Sequence, residues 1–400
     1  MSEPGGPGYE PDLQRIRRDV EALASMRRAS AREGERASAA WLAGRLGELG
    51  VGDVSVEPYR YQRSYALAHS VHNAAALIAA RIGGPAGAAI GLATLCSYER
   101  EVSGASQWVR RLLPAGEGAN VLARIPARGR RRSTLVLLAH HDAANTGFFW
   151  DPRISQVGAA RHLSRRRADP LMGPVELGLA LVVAGGLMGS RRAGKGARIA
   201  AGAILAVATA ADIDIARGAT VPGASDNATG VAVCLDLACA LASRPLEETE
   251  VIVALTGAEE AGMGGMAAFL ERHGPSFDAS STFVLGLDTL GAGKPIVCSG
   301  EGAMREQRYR EQDIALVEDG AALAGLEAPE RWRVAAWTDP ILAVRAGLPA
   351  VSILAMGPGY YPNYHHPSDT PENVDWESVA ACARIAAGTI GAYVNLREVM

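Results

Sequence analysis

The residues able to do chemistry stand out by type and grouping. Of eight histidines, four form two dipeptides, His140-His141 and His365-His366. The first lies in L-V-L-L-A-H-H-D, with Asp142 directly behind it. Acidic residues occupy similar settings: Glu259-Glu260 in A-L-T-G-A-E-E-A-G-M-G-G-M, Asp288 in L-G-L-D-T-L-G, and Asp226 in P-G-A-S-D-N-A-T-G. Singly, each has an ordinary explanation. A histidine after a strand can be a hydrogen-bonded structural residue, a Glu-Glu pair can be surface charge, and Asp-Asn before a helix is an N-cap signal. Together they suggest more. Carboxylates gathered at one place raise one another's pKa unless cations neutralise them, which two divalent metals would do.

Apolar strands have to position these groups. Val54 and Val56 begin a short strand before Pro58, and buried strands are expected at 120–125, 134–139, 250–255, 282–287 and 350–354. Helices are expected within 11–50, where Leu42, Leu46 and Leu49 share a face and Gly50 is placed as a stop, and at 228–244, 263–273, 312–325 and 377–394. Short apolar strands alternating with helices predict an α/β fold, a three-layer sandwich around a mostly parallel, twisted mixed sheet. Ligands of such sheets collect beyond the carboxyl ends of the strands, where His140, Glu259, Glu260 and Asp288 fall.

With H-H-D, P-G-A-S-D-N-A-T-G, A-E-E-A-G-M-G-G, L-D-T-L-G and Y-H-H-P-S-D-T in this order, the chain resembles the co-catalytic zinc aminopeptidases, metallopeptidase family 28, whose relatives include glutamate carboxypeptidase II and the glutaminyl cyclases. The resemblance spans 11–62, 117–142 and 222–400. It implies a zinc exopeptidase-like fold and two divalent ions, with zinc first and manganese or cobalt as alternatives. One ion would be held by His140, Asp226 and Asp288, the other by Asp226, Glu260 and His365. It also implies that Asp142 orients the His140 ring, that Glu259 is the general base, and that Tyr364 donates to the developing oxyanion. His365 is preferred to His366 because the family's ligand stands four residues before the Asp of the Asp-Thr pair, here Asp369-Thr370. One departure is W-T-D-P, where Asp339 is followed by Pro340 in place of a histidine.

The expected activity is removal of an N-terminal residue from peptides or dipeptides. A single-zinc glutaminyl cyclase-like acyltransferase and a non-catalytic membrane-associated scaffold are the alternatives. The partner is a peptide or small aminoacyl substrate. With 40 basic and 43 acidic residues the net charge of −3 offers no pull toward nucleic acid, and no basic helix interleaved with aromatics occurs. There is no G-x-x-x-x-G-K-[ST] phosphate loop and no G-x-S-x-G elbow.

Five cysteines without a C-x-x-C pair, mostly in apolar surroundings, read as buried free thiols in a reducing compartment. No signal peptide is visible in M-S-E-P-G-G-P-G-Y-E-P-D, so a cytoplasmic location is expected, with membrane association open. Residues 1–10 read as a disordered tail and 11–400 as a single catalytic domain with helical insertions at 63–116 and 143–221. The latter, beginning F-F-W-D-P, is expected to roof the site. Within these insertions lie the apolar stretches 73–97 and 171–214. They are read as hairpins packing on each other, on the body or across a dimer, or as a membrane hairpin around the basic loop R-R-A-G-K-G-A-R. Helices at 177–190 and 199–211 would be short for a bilayer, at about 20 Å.

Overall fold

Strands buried on both faces need helices on both sides, and the centre of this protein shows that rule. A computed structural model describes residues 9–302, 304–334 and 336–399. Strands β1 (Val54–Tyr61), β2 (Gly116–Ile125), β3 (Ser133–His140), β4 (Thr249–Thr256), β5 (Thr282–Leu287), β6 (Lys294–Glu301), β7 (Gln307–Arg308), β8 (Glu330–Val334) and β9 (Ala350–Met356) form one sheet. Its order is β1-β2-β4-β3-β5-β9-β6-β7, with β8 also paired to β6. The central run β4-β3-β5-β9 is parallel, and every residue of β3, β5 and β9 is buried. The flanks β1-β2-β4 and β9-β6-β7 are antiparallel.

The helices pack in two groups. Glu33–Glu48, Thr229–Ser243, Glu311–Leu323 and Trp376–Val399 cover one set of strand contacts, while Gly264–His273 and Pro340–Arg345 form a second group that touches the sheet separately. Gly50 takes φ 78° just beyond the second helix, the left-handed conformation expected of its stopping glycine.

Several expectations need correction. The first strand continues through Pro58 to Tyr61, because β1 lies at the sheet edge, where a missing N–H is tolerated. Strands β6 to β8 were not anticipated: their segments mix Lys, Gly, Glu and Arg with apolar residues and carry little periodic signal. The order of the chain begins before residue 11. Tyr9 donates its hydroxyl to Asp236, and Glu10 accepts from Arg384 at 2.7 Å. The rest of the expected tail, residues 1–8, lies outside the described residues. All five cysteines are free, but Cys96 is exposed.

The two insertions supply four long helices, Ala66–Ile82, Gly84–Val102, Gly173–Leu187 and Arg192–Arg217, besides short ones such as Ala159–Arg165. The long ones pack on one another around their own small core of Ala76, Ala79, Tyr98, Leu179, Val182 and Leu205. The last helix has 26 residues, about 39 Å of length, rather than the 13 expected. Arg192, Lys195, Arg198, Asp212 and Asp214 interrupt the apolar run without breaking the backbone.

Candidate active site

Parallel strands place their carboxyl ends side by side, and the candidate residues sit there. His140 is the last residue of β3, opposite Thr256 at the end of β4. Glu259 and Glu260 follow β4, Asp288 follows β5, His365 lies on the loop after β9, and Asp226 precedes the Thr229–Ser243 helix. His140 Nε2 lies 3.3 Å from Asp226 Oδ1 and 3.6 Å from Asp288 Oδ1. His365 Nε2 lies 3.3 Å from Asp226 Oδ2 and 3.0 Å from Glu260 Oε2. Two triads result, His140/Asp226/Asp288 and Asp226/Glu260/His365, each with its ligand atoms within 4.8 Å of one another.

The residues present fit divalent cations. Two atoms bound to one tetrahedral zinc at about 2.0–2.2 Å stand about 3.3–3.6 Å apart, close to the separations seen. Asp226 Oδ2, Glu260 Oε1 and His365 Nε2 are buried without a hydrogen-bond partner, as atoms reserved for another ligand would be. Electrostatics agree. Against its burial, the carboxylates of Glu260 and Asp226 push His365 up to about 10, so in the bare cluster the imidazole carries a proton that a cation would replace. Burial, with Asp339, Glu260 and Asp288 nearby, pushes Glu259 well above the usual carboxylate range. Its Oε2 lies 4.0 Å from His140 Nε2.

A second ring of groups holds these ligands. Asp142 Oδ1 is 3.4 Å from His140 Nδ1, and the same carboxylate accepts the backbone N–H groups of Glu259 at 3.1 Å and Glu260 at 3.2 Å. It therefore ties three site residues together, more than the single imidazole contact expected. Asp369, read in the sequence only as a marker for His365, accepts from the Ser225 and Asp226 N–H groups at 2.8 and 3.1 Å. Asn227 bridges to the neighbouring loop, donating to Leu287 O and accepting from Thr289 N–H. Buried Arg28 donates to His141 O, Pro222 O and Gly223 O, all at 2.8 Å, joining the loops that carry His140 and Asp226. Nothing local distinguished this arginine among so many.

The paired histidines separate by direction. His141 turns away, its Nδ1 2.8 Å from Ser38 Oγ and its Nε2 2.9 Å from Ala119 O. His366 Nδ1 engages Ser368 Oγ at 2.7 Å, outside the cluster. Asp339 is buried beneath the site, accepting from Thr256, and is held up to about 7 mainly by burial. Tyr364 stacks on the His365 ring, with centroids 3.8 Å apart.

Residues 206–390 match the model of peptidase family M28. The match takes in Asp226, Glu259, Glu260, Asp288 and His365, while His140 and Asp142 precede it. No curated protein matches the chain in sequence. Solved structures share its fold. One is a glutaminyl cyclase of Bacteroides thetaiotaomicron, at 13% identity and a TM-score of 0.56, covering 96% of this chain and 98% of that one. Another is an aminopeptidase of Aneurinibacillus sp. strain AM-1, at 13% identity and 0.56, covering 95% and 93%. A third is a Zn-dependent exopeptidase of Parabacteroides distasonis, at 12% and 0.55, covering 96% and 98%. Over 206–390 the chain is thus similar to peptidase family M28, and its fold is shared with these aminopeptidase, exopeptidase and cyclase structures.

The second insertion reaches the site. Trp150 meets the His365 ring edge-on at 4.4 Å and Tyr364 at 5.5 Å. Beside the site opens a cavity of about 350 Å³ lined by Phe149, Trp150, Leu171, Asp288, Tyr361 and Tyr364. A smaller one of about 100 Å³ joins Glu259 and Glu260 to Tyr65, His69 and Met172.

Proposed function

We propose that the chain is a metal-dependent aminopeptidase that hydrolyses the N-terminal peptide bond of short peptides or dipeptides. The observation that carries this reading is the position of Asp226, whose two carboxylate oxygens each lie 3.3 Å from a different histidine. In this reading His140, Asp226 and Asp288 hold one cation and Asp226, Glu260 and His365 the other. When bound, such a pair supplies Lewis acidity toward a water and toward the scissile carbonyl.

The chain's own residues do the rest. Glu259 takes a proton from the attacking water and returns it to the leaving amine, so that one water and one amide yield an acid and an amine. Asp142 keeps the His140 ring and the Glu259-Glu260 backbone in register. Tyr364 is assigned as the hydrogen-bond donor to the developing oxyanion. Trp150, edge-on to His365, forms part of the wall beside the site and favours small substrates. Two triads sharing a carboxylate favour this reading over a single-zinc cyclase.

Glu259→Ala tests it. Hydrolysis of an aminoacyl reporter should fall by roughly 10²- to 10⁴-fold while two equivalents of zinc stay bound. Unchanged hydrolysis in the variant, or a wild-type protein that only cyclises N-terminal glutamine, would overturn the assignment.

A further inference from the structure

The four insert helices are built the wrong way round for water. Where they cross, glycines bring their backbones close, beside buried Leu179, Val182 and Leu205. A Cβ placed on Gly186 would stand 2.7 Å from the backbone nitrogen of Ala88, and one on Gly185 2.9 Å from the carbonyl oxygen of Gly194. Large apolar side chains instead point outward on every helix: Val71 and Ile78 on the first, Ile90 and Leu92 on the second, Leu177 on the third, Ile199 and Val207 on the fourth. Close glycine approaches between helices, around a core that also holds Leu179, Val182 and Leu205, combined with large aliphatic side chains exposed outside, match the packing of helices in lipid, where close backbone approach adds to association. A second copy of the chain would cover one side of such a bundle, whereas apolar side chains emerge from all four helices.

Charge follows the same plan. Residues 82–98, 177–190 and 199–211 contain no charged side chain. Beyond this band, at the tip remote from the catalytic body, stand Arg81, Arg191, Arg192, Lys195 and Arg198, with no acidic residue among them. Arg198 caps the tip, donating to Gly185 O and Gly189 O at 2.8 and 2.9 Å. At the body end, Asp214 accepts the Phe148 N–H at 2.7 Å. Lys195 and Asp214 lie about 28 Å apart along one helix, close to the hydrocarbon thickness of about 30 Å. That helix, Arg192–Arg217, is long and apolar enough to span a membrane, and only 22% of its apolar window is buried inside the protein. Trp376–Arg397 has similar length and composition, but 61% of its window is buried, as suits a core helix.

We propose that this four-helix bundle is embedded in a lipid bilayer, its apolar band in the hydrocarbon and its basic tip among anionic headgroups on the far side. The catalytic body then sits against the near face. The five cations match phosphate-bearing headgroups in charge, and their long side chains reach the interface from the ends of the helices.

The test uses the full chain with sealed vesicles of phosphatidylethanolamine and phosphatidylglycerol, washed in alkaline carbonate and floated on a density gradient. Wild type should float with the vesicles and require detergent to leave them. Ile90→Glu combined with Val207→Glu, at positions already exposed, should lose flotation yet keep its zinc content and cooperative unfolding, which separates failed insertion from failed folding. A wild-type chain that stays in solution without detergent, as a monomer or as a dimer using this surface, overturns the proposal. So does flotation that the double variant retains. No readout here depends on peptide hydrolysis, so the outcome is independent of the proposed activity.

Discussion

The carboxylate of Asp369 accepts the backbone N–H of Asp226 at 3.1 Å, although the two residues lie 143 positions apart. With the Ser225 N–H on its other oxygen at 2.8 Å, Asp369 aims the loop carrying the shared ligand. Outer partners of this kind orient ligands before a metal arrives. Asp369→Ala is expected to weaken zinc affinity roughly 10- to 100-fold, read by competition with a chromophoric chelator. Asp369→Asn keeps one acceptor and should lose less. Wild-type affinity in the alanine variant would show that Asp226 needs no such support.

Stripping the cations leaves Asp226, Glu259, Glu260 and Asp288 around two histidines with nothing to offset their repulsion. Chelation should abolish aminopeptidase activity and lower Tm by roughly 5 to 15 °C, the size expected when a ligand held far above its Kd is removed from a large domain. Two equivalents of zinc should restore both. A Tm indifferent to chelator would mean that the cluster holds no metal.

Tyr364 lies flat on His365 and also packs against Trp150 and Tyr361. As an oxyanion donor, its loss in Tyr364→Phe should lower kcat by roughly 10²-fold with metal content and KM nearly unchanged. If only KM rises, the tyrosine is part of the binding wall and the oxyanion role is withdrawn.

His141 provides a pH signature separate from catalysis. Burial pushes its pKa down to about 4 from an ordinary 6.5. The unfolded chain therefore takes up this proton first on acidification. Stability is full above about pH 6.5 and is lost as the pH falls toward 4, by about 3 kcal/mol in all. Urea unfolding of the chelated protein at several pH values should show this slope in wild type and a flatter one in His141→Gln. Parallel slopes would trace the acid sensitivity to other groups.

Much of this protein is legible from local pattern. Short apolar runs such as T-L-V-L-L-A at 134–139 and T-F-V-L-G-L at 282–287 read as buried strands, because they are apolar on both faces and too short for a helix. Groups placed just past such strands, His140 and Asp288 among them, necessarily gather at one edge of a parallel sheet. What the sequence by itself determined is therefore the α/β architecture and the kinds of donor at its carboxyl edge.

The tertiary structure decided which donors meet. His140 and His141 are neighbours of identical type, yet backbone alternation along β3 sends one toward Asp226 and the other toward Ser38. Arg28 and Asp369 acquire their roles from carbonyls and N–H groups contributed by distant segments, and no periodicity records such contacts. The insertions make the same point. Their composition is apolar in any arrangement, but only packing shows glycines turned inward and Ile78, Ile90 and Ile199 turned out. Local sequence sets what each side chain can do, and long-range packing sets what stands opposite it.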